Sequence, residues 1–178
     1  MDALTPQLID FISAQPMFFV ATAAAEGRVN VSPKGMDTLR VDAPDRIRWL
    51  NLTGSGNETA AHVAASGRMT LMFSSFTEMP LTLRVYGTAT VVHPRDTRWS
   101  EVIGDFPDLA GSRQVFDLAI DEVATSCGSG VPIMTLDAIR ADDELEPHYA
   151  AMTAEELQAY WTRKNVTSID GLPTGIFE

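Results

Sequence analysis

The regular alternation of apolar and polar side chains over residues 81–91 constrains the fold of this chain more than any other feature. The apolar positions are Leu81, Leu83, Val85, Ala89 and Val91. Successive side chains of a β-strand point to opposite faces, so a period of two residues predicts a long strand with one buried face. An α-helix would instead repeat its apolar residues every three or four positions.

Shorter runs of strand character surround this segment. The full set of runs is residues 18–23, 28–32, 39–42, 46–52, 69–73, 81–91 and 114–123. Glu26-Gly27 joins the first two as a hairpin turn does, and residues 43–45 join the next two. The connections are too short for the crossovers that parallel strands need. We therefore predict a mainly β fold with flanking helices, in which about six antiparallel strands form a barrel.

Helices are predicted where cap residues precede or follow suitable segments. Thr5 fits the N-cap of a short N-terminal helix, and residues 94–103 have the pattern of another. The helix that follows Ser55 should end at Gly67, because glycine adopts the left-handed backbone of a C-cap readily. A last helix should begin at residues 153–156, which have the pattern of a capping box.

Length and charge limit the class of protein. The 178 residues fit one domain spanning residues 1–178, with a C-terminal helix and tail from about residue 150. A net charge of −11 should repel nucleic acid and anionic membrane surfaces, so neither is an expected partner. No segment approaches the length of a membrane span, and the N-terminus lacks the pattern of a secretory signal.

The cysteine and histidine residues point to a cytoplasmic protein without a metal site. Cys127 is the only cysteine, so no disulfide forms within the chain, and we interpret it as a small buried side chain. The histidines at positions 62, 93 and 148 have no metal-ligand spacing with it or with one another. We therefore expect no metal and a cytoplasmic location.

Residues 54–59, Gly-Ser-Gly-Asn-Glu-Thr, lie between a predicted strand and a predicted helix. Glycines let the backbone approach a ligand closely, and the N–H groups of a first helical turn attract anions. We expect Ser55 to cap the helix, with Glu58 as its capping-box partner. A dinucleotide fingerprint is excluded, because Thr59 replaces its third glycine and no parallel βαβ unit surrounds it. The loop therefore fits either a mononucleotide-sized phosphate or an ordinary capped helix start.

Three segments resemble, in order and spacing, the pyridoxamine 5′-phosphate oxidase-related family of FMN-binding split β-barrels. They are residues 29–35 (Val-Asn-Val-Ser-Pro-Lys-Gly), 50–62 (beginning Leu-Asn-Leu-Thr-Gly-Ser-Gly) and 83–87 (Leu-Arg-Val-Tyr-Gly). The resemblance covers residues 1–130, and residues 126–132 and 165–173 look like one branch of the family. It implies a six-stranded antiparallel split β-barrel that holds FMN.

The resemblance also implies a homodimer with FMN bound at the subunit interface. It assigns Ser32, Pro33, Lys34, Gly35, Asn51, Leu52 and Thr53 to the isoalloxazine ring and ribityl chain, and Ser55, Gly56, Asn57, Glu58 and Thr59 to the phosphate. Because that phosphate loop has no basic side chain, Lys34, Arg68 or Arg84 would have to supply positive charge. Two of these cations also have an ordinary interpretation: Lys34 fits a solvated turn residue, and Arg84 fits a salt bridge across the dimer.

The resemblance implies an FMN-dependent oxidoreductase that acts on a small molecule, with the flavin carrying the hydride chemistry. Because the sequence contains no convincing catalytic constellation, a non-catalytic flavin-binding or ligand-sensing dimer is an alternative. A barrel holding another cofactor, such as a deazaflavin or haem, is a third hypothesis. Oxidation of pyridoxamine phosphate is disfavoured, because residues 168–178 contain no lysine or arginine to match the basic C-terminal segment of the true oxidases.

Overall fold

The computed structural model describes all 178 residues and consists of one curled antiparallel sheet with helices around it. The strands are β1 Met17–Thr22, β2 Asn30–Gly35, β3 Leu39–Ala43, β4 Arg46–Leu52, β5 Arg68–Ser74, β6 Thr82–Val92 and β7 Ser112–Ser126. The helices are α1 Pro6–Ser13, α2 Glu58–Ser66, α3 Trp99–Ile103, α4 Glu146–Ala150 and α5 Ala154–Lys164, with a π-helical turn at Ala141–Leu145. The mainly β prediction is therefore confirmed.

The sheet has the strand order β2-β1-β5-β6-β7-β4-β3, and every neighbouring pair is antiparallel. Its two edge strands, β2 and β3, are separated by only residues 36–38. The backbone N–H of Leu50 donates to Thr38 O at 2.8 Å, which holds this turn against β4. The sheet therefore curls into a split barrel, with seven strands rather than the six expected.

A bulge bends the sheet where β6 meets β7. The pairing register shifts between Tyr86 and Gly87. A Cβ at Gly87 would collide with the carbonyl oxygen of Ala119, so only glycine permits the close approach of the two backbones. The alternation predicted for residues 81–91 is otherwise preserved, with Leu83 and Val85 fully buried.

The main core fills the inside of the curled sheet. Its aromatic centre includes Trp49, which stacks on Phe116 with ring centroids 4.6 Å apart, and Phe18, which stacks on Phe73 at 5.8 Å. A second, smaller core lies under α3 and consists of Leu50, Val92, Val102, Phe106 and Val115. Alternate residues of β4 and β7 thus enter different cores, because successive strand side chains point to opposite faces.

Local cap chemistry places several helix ends as predicted. Thr5 accepts a hydrogen bond from the Leu8 N–H, and α2 ends at Gly67 with a φ of 70°. The capping box at residues 153–156 is complete. No helix of the structure has both the length and the apolar character needed to cross a membrane.

Three local expectations are wrong, and one helical segment was not predicted. Ser55 does not cap α2, because Asn57 holds the N-cap position and its backbone N–H donates to Glu58 Oε2. The helix expected over residues 94–103 is confined to α3, since a turn closed by the Asp96 carboxylate precedes it. The helical turns over residues 141–150 were not anticipated. Cys127 is exposed rather than buried.

Candidate functional site

A cavity of about 220 Å³ lies at one end of the barrel, where β2 and β4 both finish. Its lining residues are Pro33, Lys34, Gly35, Met36, Thr38, Leu50, Asn51, Leu52, Thr53, Gly54, Gly56 and Leu145. Residues 33–35 and 51–53, which belong to two segments that the family resemblance assigned to one site, therefore meet in space. The residues that follow β4 border the same cavity.

Lys34 is the one ionisable side chain that lines this cavity. Its Nζ donates to Asn51 Oδ1 at 3.2 Å and lies 5.3 Å from the centroid of the Trp49 ring. The Asn51 amide in turn donates to Gln114 Oε1 at 3.3 Å. Burial, followed by the positive charge of Arg113, lowers the pKa of Lys34 to about 8. Lys34 is therefore not the solvated turn residue of the alternative interpretation.

Arg113 is a second cation at this end of the barrel, and its residue is only 2% exposed. Its guanidinium donates to Gly54 O at 3.1 Å and to Gly56 O at 2.8 Å, while its Nε has no partner. Burial lowers its pKa to about 10, although Tyr149, Tyr160 and Glu58 act in the opposite direction. No sequence motif marks Arg113 as a site residue.

Neither cation forms a salt bridge with a carboxylate. Burying a charge without a counter-charge is costly, and the two like charges of Lys34 and Arg113 also repel each other. An anionic group held near them would offset both costs. The electrostatics at this end of the barrel therefore favour an anionic ligand, despite the net charge of −11 on the whole chain.

Residues 54–59, called the glycine loop below, lead from β4 into α2. The N–H of Asn57 is bonded to the neighbouring Glu58 carboxylate. The N–H groups of Ser55, Gly56, Glu58 and Thr59 have no acceptor within the chain. These donors are suited to an anion, because the first turn of a helix carries a partial positive charge. The Glu58 carboxylate is the one negative group in the loop.

The other predicted site residues have more varied positions. Ser32 Oγ is buried without a hydrogen-bond partner. Ser55 is exposed. The Thr59 hydroxyl accepts from the Asn30 amide at 3.2 Å, so this side chain is already bonded within the chain.

The two arginines proposed as sources of positive charge lie elsewhere. Arg84 stands on the outer face of β6, with its guanidinium 3.4 Å from Ser126 Oγ. Arg68 donates to the backbone carbonyl of Ala24. The single chain does not bring either arginine to the cavity, whereas Arg113 lies against the glycine loop.

Contacts from distant parts of the chain complete the site. Arg113 and Gln114 reach the glycine loop and Asn51 because β7 pairs with β4. The C-terminal residues Trp161 and Asn165 also contact the region, with hydrogen bonds to Thr53 and Gly54. Only the antiparallel pairing of the two strand runs could have pointed to Arg113, and the sequence does not supply their register.

A family model described as "Pyridoxamine 5′-phosphate oxidase" matches residues 4–127, which include the whole sheet and nearly all of the cavity lining. The chain belongs to this family. A curated relative, the pyridoxamine 5′-phosphate oxidase family protein ustO of Aspergillus flavus, is 34% identical over 188 aligned positions, which cover 97% of this chain and 76% of that protein. The family resemblance drawn from the three sequence segments is thereby confirmed.

Solved structures share the fold. A Lactobacillus delbrueckii protein, described provisionally as a pyridoxamine 5′-phosphate oxidase, is similar with a TM-score of 0.58 and 23% identity, over 70% of this chain and 95% of that one. A pyridoxamine 5′-phosphate oxidase-related, FMN-binding protein of Nostoc punctiforme is similar with a TM-score of 0.53 and 12% identity, over 74% and 89%. At these identities the likeness concerns the fold alone, and it confirms the split barrel.

Proposed function

We propose that the protein is an FMN-binding flavoprotein whose cofactor occupies the end of the barrel described above. The ring and ribityl chain lie along residues 32–35 and 51–53, and the phosphate lies at the glycine loop. The observation that carries this proposal is a pair of cations, the partly buried Lys34 and the buried Arg113, which have no carboxylate partner. A phosphate dianion supplies the counter-charge that the chain itself lacks.

The residues present fit this cofactor in chemistry. Unpaired N–H groups of the loop and of the first turn of α2 are suitable donors to phosphate oxygens. Arg113 supports the loop from beneath and adds positive charge without itself being exposed. Near the ring segments, Lys34 and Asn51 offer polar hydrogens, and the buried Ser32 Oγ has no other partner.

We propose that two copies of the chain form a homodimer with the flavin at the interface. Val31 of β2 and Val29, just before that strand, are 62% and 70% exposed at the outer face of the sheet. Phe19, Met72 and Arg84 lie side by side on three neighbouring strands of the same face. A second copy covering this face would bury the apolar side chains and bring Arg84 toward the partner subunit.

We further propose an oxidoreductase activity on a small molecule. Bound FMN supplies the hydride chemistry of such an enzyme, and the protein binds and orients the reactants. Lys34 would hold negative charge that develops near the ring segments. The substrate differs from that of the true oxidases, because residues 168–178 contain no basic side chain. A chain with one cysteine suits a reducing compartment, which in our proposal is the cytoplasm.

The test is to titrate the purified protein with FMN and follow quenching of flavin fluorescence, with FAD and riboflavin as comparisons. We expect saturable binding with the order FMN, then FAD, then riboflavin. The absorption spectrum of the protein purified from cells separates FMN from a deazaflavin or haem. A preparation that quenches no flavin, or that carries one of those other chromophores, would contradict the cofactor assignment.

A non-catalytic flavin-binding or sensing dimer is the second candidate function. The observation in its favour is the lining of the cavity, in which Lys34 is accompanied by no histidine, carboxylate or cysteine. Turnover of a reduced nicotinamide by the FMN-loaded protein supports the enzyme. Tight FMN binding without any turnover supports the second candidate.

A further inference from the structure

The segment 161–170, called the C-terminal clasp below, lies against the glycine loop. Trp161 Nε1 donates to Thr53 Oγ1 at 2.9 Å. The Asn165 side-chain amide donates to Gly54 O at 2.9 Å. Asn165 is 1% exposed, so this bond is made out of contact with solvent. The clasp lies outside the part of the chain that the family model matches.

Side chains of the glycine loop also form hydrogen bonds with the clasp. Asn57 donates both hydrogens of its side-chain amide to the clasp, one to Lys164 O at 3.1 Å and the other to Thr167 O at 2.7 Å. The backbone N–H of Ile169 donates to Glu58 Oε1 at 3.2 Å. The Glu58 carboxylate, which also accepts from the Asn57 N–H, is therefore shared between loop and clasp. Clasp and loop are connected along the length of the loop.

Gly54 O is an acceptor shared by two side chains, and these bonds orient the backbone at the start of the glycine loop. It receives hydrogen bonds from both Arg113 and Asn165, which fix the direction of the carbonyl. In a trans peptide the C=O and the next N–H point in opposite directions. The N–H of Ser55 is therefore turned away from Arg113 and from the clasp, toward the side on which it has no protein acceptor.

We propose that the C-terminal clasp is a positioning element of the phosphate site, in which Asn165 orients the glycine loop so that its N–H groups face the phosphate. This inference rests on the proposed function, in which the glycine loop holds the phosphate of FMN. The proposal thereby gives a role to residues 165–173, which overlap the clasp and contribute no residue to the cavity lining. The clasp contacts no phosphate itself and acts through the loop.

The experiment compares the full-length parent with Asn165→Ala and Trp161→Phe. Each variant is titrated with FMN and with riboflavin, which lacks the phosphate. We expect Asn165→Ala to weaken FMN binding about tenfold and to leave riboflavin binding unchanged, since a lost hydrogen bond of this kind changes an equilibrium constant by about that factor. Trp161→Phe keeps an aromatic side chain and loses the N–H that bonds Thr53, so it should weaken FMN binding about threefold.

Thr153→Ala is the matched control, because it removes the N-cap of α5 without touching the loop. It should lower the Tm and leave the ratio of FMN to riboflavin affinity at the parental value. Amide hydrogen exchange without flavin gives a second readout. The Asn57 N–H should exchange faster in Asn165→Ala than in the parent or in Thr153→Ala.

The outcomes separate the two proposals. A parent that does not prefer FMN to riboflavin overturns the phosphate site and the clasp together. A parent that prefers FMN, with an unchanged preference in a folded Asn165→Ala, overturns the clasp alone. If Asn165→Ala does not fold, the ratio of FMN to riboflavin affinity in Trp161→Phe becomes the deciding measurement. A loss of affinity shared equally by FMN and riboflavin also contradicts the inference, because a merely structural role predicts that result.

Discussion

At the scale of single residues, Lys34 and Arg113 show how a binding site can conflict with stability. Arg113 is buried and Lys34 is partly buried, and neither has a carboxylate partner. Lys34 was identified from the sequence because it lies in a recognisable segment, whereas Arg113 was not. The segment around Arg113 has only the pattern of a strand, and its role depends on pairing with a strand some sixty positions earlier.

Lys34→Gln should stabilise the flavin-free protein at pH 7. The folded-state pKa of Lys34 is lowered to about 8, so the cost of its buried charge is fully present below pH 8. That cost falls as the pH rises from the folded-state pKa toward the ordinary lysine pKa. Over this range Lys34 is neutral in the folded chain but still protonated in the unfolded chain. We expect a gain of about 1–2 kcal/mol in the free energy of unfolding at pH 7, and a smaller gain at pH 9.5.

Urea unfolding at the two pH values measures this effect. Lys164→Gln, at the exposed end of α5, is the matched control and should change neither value. The same Lys34→Gln variant should bind FMN more weakly than the parent. Equal stability of parent and variant at pH 7 would mean that the Lys34 charge is solvated in solution.

At the scale of elements, local chemistry determined where most helices and strands begin and end. The caps at Thr5, Gly67 and residues 153–156 were predictable because each involves neighbours within a few positions. The start of α2 was not, because Asn57 is held at the N-cap position by hydrogen bonds to the distant C-terminal clasp. The turn between β4 and α2 therefore depends on tertiary contacts.

Gly56→Val tests the glycine loop as a binding element. A Cβ at Gly56 meets nothing closer than Glu58 Oε2 at 3.8 Å, so the fold should tolerate the substitution. The added side chain should obstruct the approach of the backbone to a phosphate. We expect FMN affinity to fall at least about tenfold, with riboflavin binding unchanged.

Gly130→Val is the control, because Gly130 also has open space around it and lies outside the cavity. Fluorescence titration gives the affinities, and the Tm verifies the fold. Unchanged FMN affinity in a folded Gly56→Val would show that the loop is an ordinary helix start and not a phosphate site.

At the scale of the whole molecule, the curled sheet divides the apolar residues between an interior core and an outer face. The interior is closed by its own side chains. On the outer face, Val31 of edge strand β2 and Val29, which immediately precedes the strand, are exposed in the single chain. An exposed apolar edge strand invites association, which natural proteins either block or use.

Val31→Lys should convert the proposed dimer into a monomer. Because Val31 is 62% exposed in the single chain, the substitution should leave the folding of each subunit intact. Light scattering should give a mass of twice 19.4 kDa for the parent and a mass near 19.4 kDa for the variant at micromolar concentration. Met79→Lys, at a 79% exposed loop position, is the control and should remain dimeric. A parent that is already monomeric would contradict the shared flavin site.

The strands, most helix ends, the family and the segments that border the cavity could all be predicted from the amino-acid sequence. These features follow from periodicity, from caps and from short motifs, all of which are local in the chain. Three features could be seen only in the folded structure: the position of Arg113 under the glycine loop, the hydrogen bond from Asn165 to Gly54 O, and the distance of Arg84 from the cavity. Each of these depends on strand register or on contacts between residues far apart in the chain, and the free energy that selects them comes from the packing of the whole barrel rather than from any segment.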